Sequence, residues 1–274
     1  MKNILLLTDF SKSSKNAIHY AAKLFENETI NFHLVYIHKA SAFTTADLMT
    51  SGNANLYASI VKSPKEDLED LSKQLQSVYK NPKHTYTEHI DYDVFTDAVN
   101  QLIVLHNINL VVMGTNGVTG ADEVVFGSHT LNVIRKVERP TLIIPKYFEF
   151  SKPKAILLPL DEKDELNKKR IDQIFSLVGK TNGNYHVLRI TETAIDETED
   201  VTSLEKLLED NSYSYNQVSN VPMDQVVDTY LQTNSIDLEV FIIQKISFLE
   251  RLFSGSPITK HSKIASVPLF ILHD

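Results

Sequence analysis

The sequence has no cysteine, which removes disulfides, thiolate metal sites and thiol chemistry together. It also has no apolar run near the ~18 residues a membrane helix requires, so a membrane role is not expected. No block rich in lysine or arginine interrupts a chain whose formal net charge is −8, and a general nucleic-acid binder is not expected either. The opening MKNILLLTDF carries an apolar stretch too short for a secretory signal and meets an aspartate at once. Together with the missing cysteine, that suits the cytoplasm. Glycine is scarce too, with eight in 274 residues. What is present, 42% apolar and 23% charged residues, fits a globular protein with a sizeable core. The length suffices for two domains.

Four of the eight glycines fall between positions 114 and 127, within LVVMGTNGVTGADEVVFGSHT (110–130). In a glycine-poor chain such clustering marks a place where backbone must approach something closely. Gly114 and Gly117 follow a strand-like run, and Gly127-Ser128 opens a helical pattern. Free amides at a helix start, together with the helix dipole, make an anion site suited to phosphate. Ser128 and Thr130 add hydroxyl donors at the same spot. The spacing is neither Walker A nor a Rossmann fingerprint, because no Gly-Lys-Ser/Thr is present and the last glycine comes too late. The same glycines serve equally as plain turn residues at the two ends of a βα loop.

The chain repeats itself. KNILLLTD (2–9) matches KAILLPLD (154–161) at an offset of 152 residues. INLVVMG (108–114), FGSHT (126–130) and RPTLIIP (139–145) match IDLEVFI, SGSPI and VPLFILH at an offset of 128. The second copy is therefore 24 residues shorter, and the loss lies in its first half. The economical account is two copies of one unit, 1–147 and 152–274, joined near KYFEFSKP (146–153).

Within copy one, strand patterns at 4–7, 32–37, 83–90, 110–113 and 141–144 alternate with helical patterns at 12–26, 64–80, 96–106 and 128–137. Ser11 and Ser63 stand as N-caps, and Pro64 opens the second helix. The polar stretch 38–63 reads as a loop. Such alternation predicts an α/β chain of two tandem doubly wound, five-stranded parallel-sheet domains. These sheets bind ligands beyond the carboxyl ends of their strands, where strand order reverses. Asp9 and Gly114 both sit at such ends.

Other candidates carry less. His84 and His89 lie on opposite faces of a strand, while His33, His38 and His106 read as isolated, so no metal site is expected. Asp91 and Asp93 read as a solvated edge, and ETAIDETED (192–200) lacks the glycine and spacing of a calcium site and reads as a plain loop. Ser11, Ser13 and Ser14 follow the first strand without a G-x-S-x-G elbow, and helix capping accounts for them.

The pattern Gly-x2-Gly-x9-Gly-Ser, here Gly114, Gly117, Gly127 and Ser128, resembles the nucleotide motif of the universal stress protein family. ILLLTDFS and RPTLIIP resemble that family's opening and closing strands. The resemblance covers copy one nearly end to end and copy two more faintly. It implies a tandem member with a Rossmann-like fold of the adenine nucleotide alpha-hydrolase-like kind. It also implies an adenine nucleotide, ATP or else AMP or ADP, with or without Mg2+. Carried over by position, Thr8 and Asp9 lie at the adenosine end, and the backbone at Ile37 faces the adenine edge. Met113 and Gly114 line the ribose side, while Asn116, Gly117, Gly127, Ser128, His129 and Thr130 surround the phosphates. Two positions depart from the family pattern. Asp93 stands where glycine is frequent, and the neutral Asn116 stands where histidine or arginine is frequent.

In copy two, Gly114 becomes Ile242, Gly117 becomes Lys245 and His129 becomes Pro257, although Gly255-Ser256 survives. Side chains at Ile242 and Lys245 would occupy the space that the phosphates need, so copy two is expected to bind no ATP. The family's habit of pairing through last strands implies an internal pseudo-dimer built from 141–144 and 269–272, with a homodimer of whole chains left open. The glycine loop of copy one carries no lysine or arginine, and phosphoryl transfer needs charge stabilisation. The reading is thus a nucleotide-binding stress-response module with no catalytic residue and at most slow hydrolysis. The alternatives are an adenine-nucleotide enzyme, or a scaffold with structural nucleotide.

Overall fold

The computed structural model describes residues 1–38, 54–115, 126–194, 196–243 and 266–273, with only the helix backbone for 54–62. In the first half, β1 (Lys2–Thr8), α1 (Lys12–Leu24), β2 (Ile30–Ile37), α2 (Ala54–Tyr79), β3 (His84–Asp91), α3 (Phe95–Leu105), β4 (Leu110–Gly114), α4 (Ser128–Lys136) and β5 (Thr141–Ile144) alternate. The second half runs β6 (Ala155–Asp161), α5 (Lys168–Val178), β7 (Asn184–Thr191), α6 (Thr198–Leu208), β8 (Ser212–Ser219), α7 (Met223–Thr233), β9 (Leu238–Ile243) and β10 (Leu269–His273).

All ten strands form one sheet in the order 3-2-1-4-5-10-9-6-7-8. Read outward from the centre, the halves have the same order. Every pairing is parallel except the central one, where β5 and β10 run antiparallel with Leu142 opposite Phe270. The terminal strands expected to pair do so, and the sheet is continuous through the junction.

The inner strands are largely apolar because both faces are covered, whereas the edge strands β3 and β8 are polar. In β1, Ile4 and Leu6 face one side, where α1 contributes Ala17 and Ile18 and α2 contributes Leu68, Leu71 and Leu75. Leu5 and Leu7 face the other side, against Val99 and Leu102 of α3 and Val133 and Ile134 of α4. The second half repeats the sandwich, with Ile171, Ile174 and Leu204 on the first face and Val226 and Val227 on the second. The starts of α1 and α5 follow capping chemistry. Ser11 accepts from the Ser14 amide at 3.2 Å, and Asn167 accepts from the Arg170 amide at 3.0 Å.

Two expectations are corrected. The second helix does not start at Pro64 with Ser63 as its cap, because α2 already includes Ala54 and carries Pro64 inside it. Proline deletes one helical hydrogen bond, but the helix-forming run ANLYASIVKS ahead of it outweighs that loss. Of the stretch 38–63 read as a loop, residues 54–63 are helical, and 39–53 lie outside the described residues. The acidic run 192–200 is not all loop either: α6 begins at Thr198, so Asp200 projects from a helix.

Candidate functional site at the strand ends of the first half

Strand order reverses at β1 and β4, whose neighbours β2 and β5 lie on opposite sides. A cavity of about 160 Å³ opens there at the carboxyl ends. It gathers six of the anticipated residues: Thr8, Asp9, Ile37, Met113, Gly114 and His129. Sequence reasoning missed Leu7, Val35 and Phe95, which give it an apolar floor. Alternation along β1 and β2 was the available signal, since Leu7 and Val35 share a core face with Leu5 and Met113.

The turn after β1 is tightly built. Phe10 takes a left-handed φ of 61° and its amide donates to Thr8 Oγ1 at 3.0 Å. The Ser11 amide donates to Asp9 Oδ1 at 3.0 Å. Burial pushes the Asp9 carboxyl up, but hydrogen bonds from Ser11 and Ser14 outweigh it and hold the group below the ordinary carboxylate range. The rim therefore carries an anionic acceptor at neutral pH.

On the far wall, α4 begins at Ser128 with Gly127 as a cap that has no side chain to offer. The amides of its first turn therefore receive no side-chain cap, as an anion site at a helix start requires. Ser128 is exposed there, and the His129 ring stands edge-on to Phe95 with centroids 4.2 Å apart. Thr130 is different. It is fully buried, and its Oγ1 has no hydrogen-bond partner among the described residues, so it stands behind the cavity wall. Asn116 and Gly117 lie outside the described residues.

Gly114 has a physical reason that the sequence did not show. A Cβ there would lie 2.6 Å from both the carbonyl oxygen and the hydroxyl of Ser13. The first turn of α1 crosses directly over the end of β4, and the Ser13 hydroxyl donates to the Thr115 carbonyl. The glycine is thus required by helix α1, with no positive φ involved. Its counterpart Ile242 is buried in the core on the face where α5 packs. The expectation that Ile242 fills the phosphate space is corrected: its side chain prevents the close helix crossing instead. Lys245, Gly255, Ser256 and Pro257 lie outside the described residues.

In the second half a polar network sits at the strand ends on the other face of the sheet, where Arg189 takes the position of Tyr36. Arg189 donates to the carbonyls of Asp161 and Asp164 at 2.6 and 2.8 Å, and it pairs with Asp200 at 2.7 Å. Tyr215 donates to the same carboxylate at 2.8 Å. The Asp161 carboxylate accepts from the next amide, Glu162, at 2.8 Å. The cleft beside this network is rimmed by Glu162, Glu165, Asp196 and Glu199, which disfavours any anion.

The description of His33 and His106 as isolated is also overturned. His33 is 4% exposed, its Nδ1 lies 2.9 Å from His89 Nε2, and the His106 ring is 4.7 Å from its own. Burial, reinforced by the two neighbouring rings, holds the His33 pKa down to about 4. Asp91 and Asp93 serve the turn before α3, accepting from the amides of Asp93 and Val94 at 2.9 and 2.7 Å.

No described helix is long and apolar enough to cross a membrane. Comparison with known proteins places the site in a family. A family model described as "Universal stress protein family" matches residues 1–145, more than half of the chain. A universal stress protein of Methanocaldococcus jannaschii is 25% identical over 163 residues, covering 53% of this chain and 95% of that protein. Another from the same organism is 26% identical over 145 residues, covering 53% of this chain and 82% of its own length. The fold extends over both halves: a universal stress protein structure from Archaeoglobus fulgidus aligns with a TM-score of 0.66 at 17% identity, covering 99% of this chain and 96% of that one. The chain belongs to the universal stress protein family.

Proposed function

We propose that the first half binds an adenine nucleotide, ATP or its mono- or diphosphate, and that the chain acts as a nucleotide-dependent module in a stress response. One observation carries this reading: a single cavity at the strand-order reversal joins an apolar floor, an anionic rim and an uncapped helix start. The floor of Leu7, Val35, Phe95 and Met113 suits a flat base. Asp9 is an acceptor for ribose hydroxyls, and the first turn of α4 presents amides to phosphate. Family membership supports the same assignment. The carried-over phosphate contacts at Asn116, Gly117, Gly127, Ser128 and His129 are part of this proposal, as is bound Mg2+, with the buried Thr130 behind them.

On this reading residues 1–147 form the binding domain. Residues 152–274 form a second domain of the same kind that binds no nucleotide, Ile242 and Lys245 standing in place of Gly114 and Gly117. A cytoplasmic location fits the soluble-type fold and belongs to the same proposal. The cavity offers no described lysine or arginine to stabilise a transferring phosphoryl group, so the chain is read as a sensor rather than a fast enzyme.

Calorimetric titration of the full chain with ATP should give one nucleotide per chain. The Gly117→Val variant should lose that binding while keeping its circular dichroism. No measurable affinity in the parent chain, or two nucleotides per chain, would overturn the assignment. Turnover faster than roughly 1 s⁻¹, an ordinary enzyme value, would favour the enzyme reading instead.

A further inference from the structure

A second cluster lies on the cavity's face of the sheet, nearer the amino-terminal end of β2. His33 shares a strand face with Val35 and Ile37. His89 stands directly opposite Val35 on β3, which makes it the diagonal neighbour of His33. His106 caps the end of α3, and its ring centroid lies 4.7 Å from that of His33 and 4.6 Å from that of His89. One ring nitrogen from each of the three falls within 4.8 Å of the others.

From this geometry we infer that His33, His89 and His106 bind one divalent transition-metal ion of the zinc class, with the remaining coordination position open to water or an external ligand. Imidazole nitrogens about 2.0–2.1 Å from a tetrahedral zinc are about 3.3 Å apart. The closest pair here, His33 Nδ1 and His89 Nε2, is 2.9 Å apart. Binding therefore asks one pair to open slightly and the widest to close by about 1.5 Å, which small side-chain rotations accomplish. An all-imidazole set favours zinc, copper or nickel over calcium and magnesium, which take oxygen ligands.

The surroundings accommodate the ligated state. His33 Nε2 is 2.9 Å from the Asn31 amide, whose other end meets the hydroxyls of Thr85 and Thr87 at 3.0 and 3.4 Å. Ligation through Nδ1 leaves the His33 proton on Nε2, so Asn31 must turn its carbonyl oxygen toward the ring. The two orientations of a carboxamide have the same shape, and a hydroxyl accepts as readily as it donates. The turn costs the 3.3 Å hydrogen bond that Asn31 Nδ2 now donates to Asn3 Oδ1, and Asn31 becomes the outer group that fixes the ring.

The second half supplies an internal control. Asn184 and His186 reproduce the Asn31–His33 pair at 3.0 Å, but His186 bonds Tyr230 at 2.8 Å. The position of His89 is Asn216, opposite Leu188, and the position of His106 is Asn234, the cap of α7. One histidine belongs to the repeated fold, and the two that complete the set belong to the first half alone.

Calorimetric titration of the metal-free full chain with zinc chloride should show one ion per chain. His89→Asn and His106→Asn, which install the residues of the second half, should each weaken binding at least about tenfold. His186→Asn should leave it unchanged. Cobalt(II) in place of zinc should give visible absorption bands that both variants lose while their circular dichroism stays that of the parent. No zinc uptake by the parent chain, or uptake equal in all three variants, would overturn the site and leave the rings as a stacked cluster. Neither result bears on nucleotide binding, which is read separately with ATP.

Discussion

The two halves share a strand order and a core pattern, yet their strand ends are built differently. In the first half, α1 crosses β4 so closely that only glycine fits at 114, and the space on the other face stays open. In the second, Ile242 takes the glycine's place in the core, and on that same face Arg189 donates hydrogen bonds to Asp161, Asp164 and Asp200. The fold survives either arrangement because its stability comes from alternating apolar faces, which both halves retain. The strand ends are the part free to differ: the first half keeps room for a ligand on the face of α3 and α4, and the second ties its own polar groups together on the face of α5 and α6.

That contrast can be broken deliberately. The largest effect is expected from Arg189→Ala, which leaves Asp200 and two carbonyl groups without their guanidinium donor. Removing one member of a largely buried pair should cost about 3–5 kcal/mol, seen as a lower midpoint in urea. Gly114→Val should follow at about 3 kcal/mol, the upper range for overpacking, because its Cβ would strike Ser13 backbone as well as side chain. A midpoint unchanged from the parent would show that α1 does not need the glycine.

A third variant sharpens the comparison in the stabilising direction. Glu239 takes the repeat position of Val111. It is fully buried, and neither carboxylate oxygen has a hydrogen-bond partner among the described residues. Glu239→Val should raise stability at pH 7 by about 1–3 kcal/mol, the cost of an unsatisfied buried polar group. Burial, with Asp228 nearby, raises the carboxyl pKa well above its ordinary value. The unfolded chain therefore loses this proton first as pH rises, and the parent loses stability above about pH 4.5. The advantage of the valine variant should grow from there upward; an advantage that shrinks with rising pH would contradict the assignment.

Much of this architecture was legible in the chain. The twin openings KNILLLTD and KAILLPLD, the two offsets, and the apolar runs bounded by helical patterns were enough to place both halves and the pairing of their last strands. The Ser11 cap and the start of α4 at Ser128 were legible too, because capping is local. Contacts between elements were not. His33 and His89 meet only through the register of β2 on β3, which no spacing along the chain reveals. The need for Gly114 depends on where α1 crosses, and the role of Arg189 depends on carbonyls brought to it by β6. Pro64 misled for the opposite reason: a strong local start signal was overruled by the helix that already precedes it.

The antiparallel seam between β5 and β10 joins two parts of one chain. Its formation is unimolecular, so mass action does not govern it, and dilution leaves it intact where a dimer of separate chains would come apart. The edge that each last strand would otherwise present is used up inside the molecule. Any association between whole chains must therefore be made through a different surface, and only that contact would depend on how much protein the cell holds.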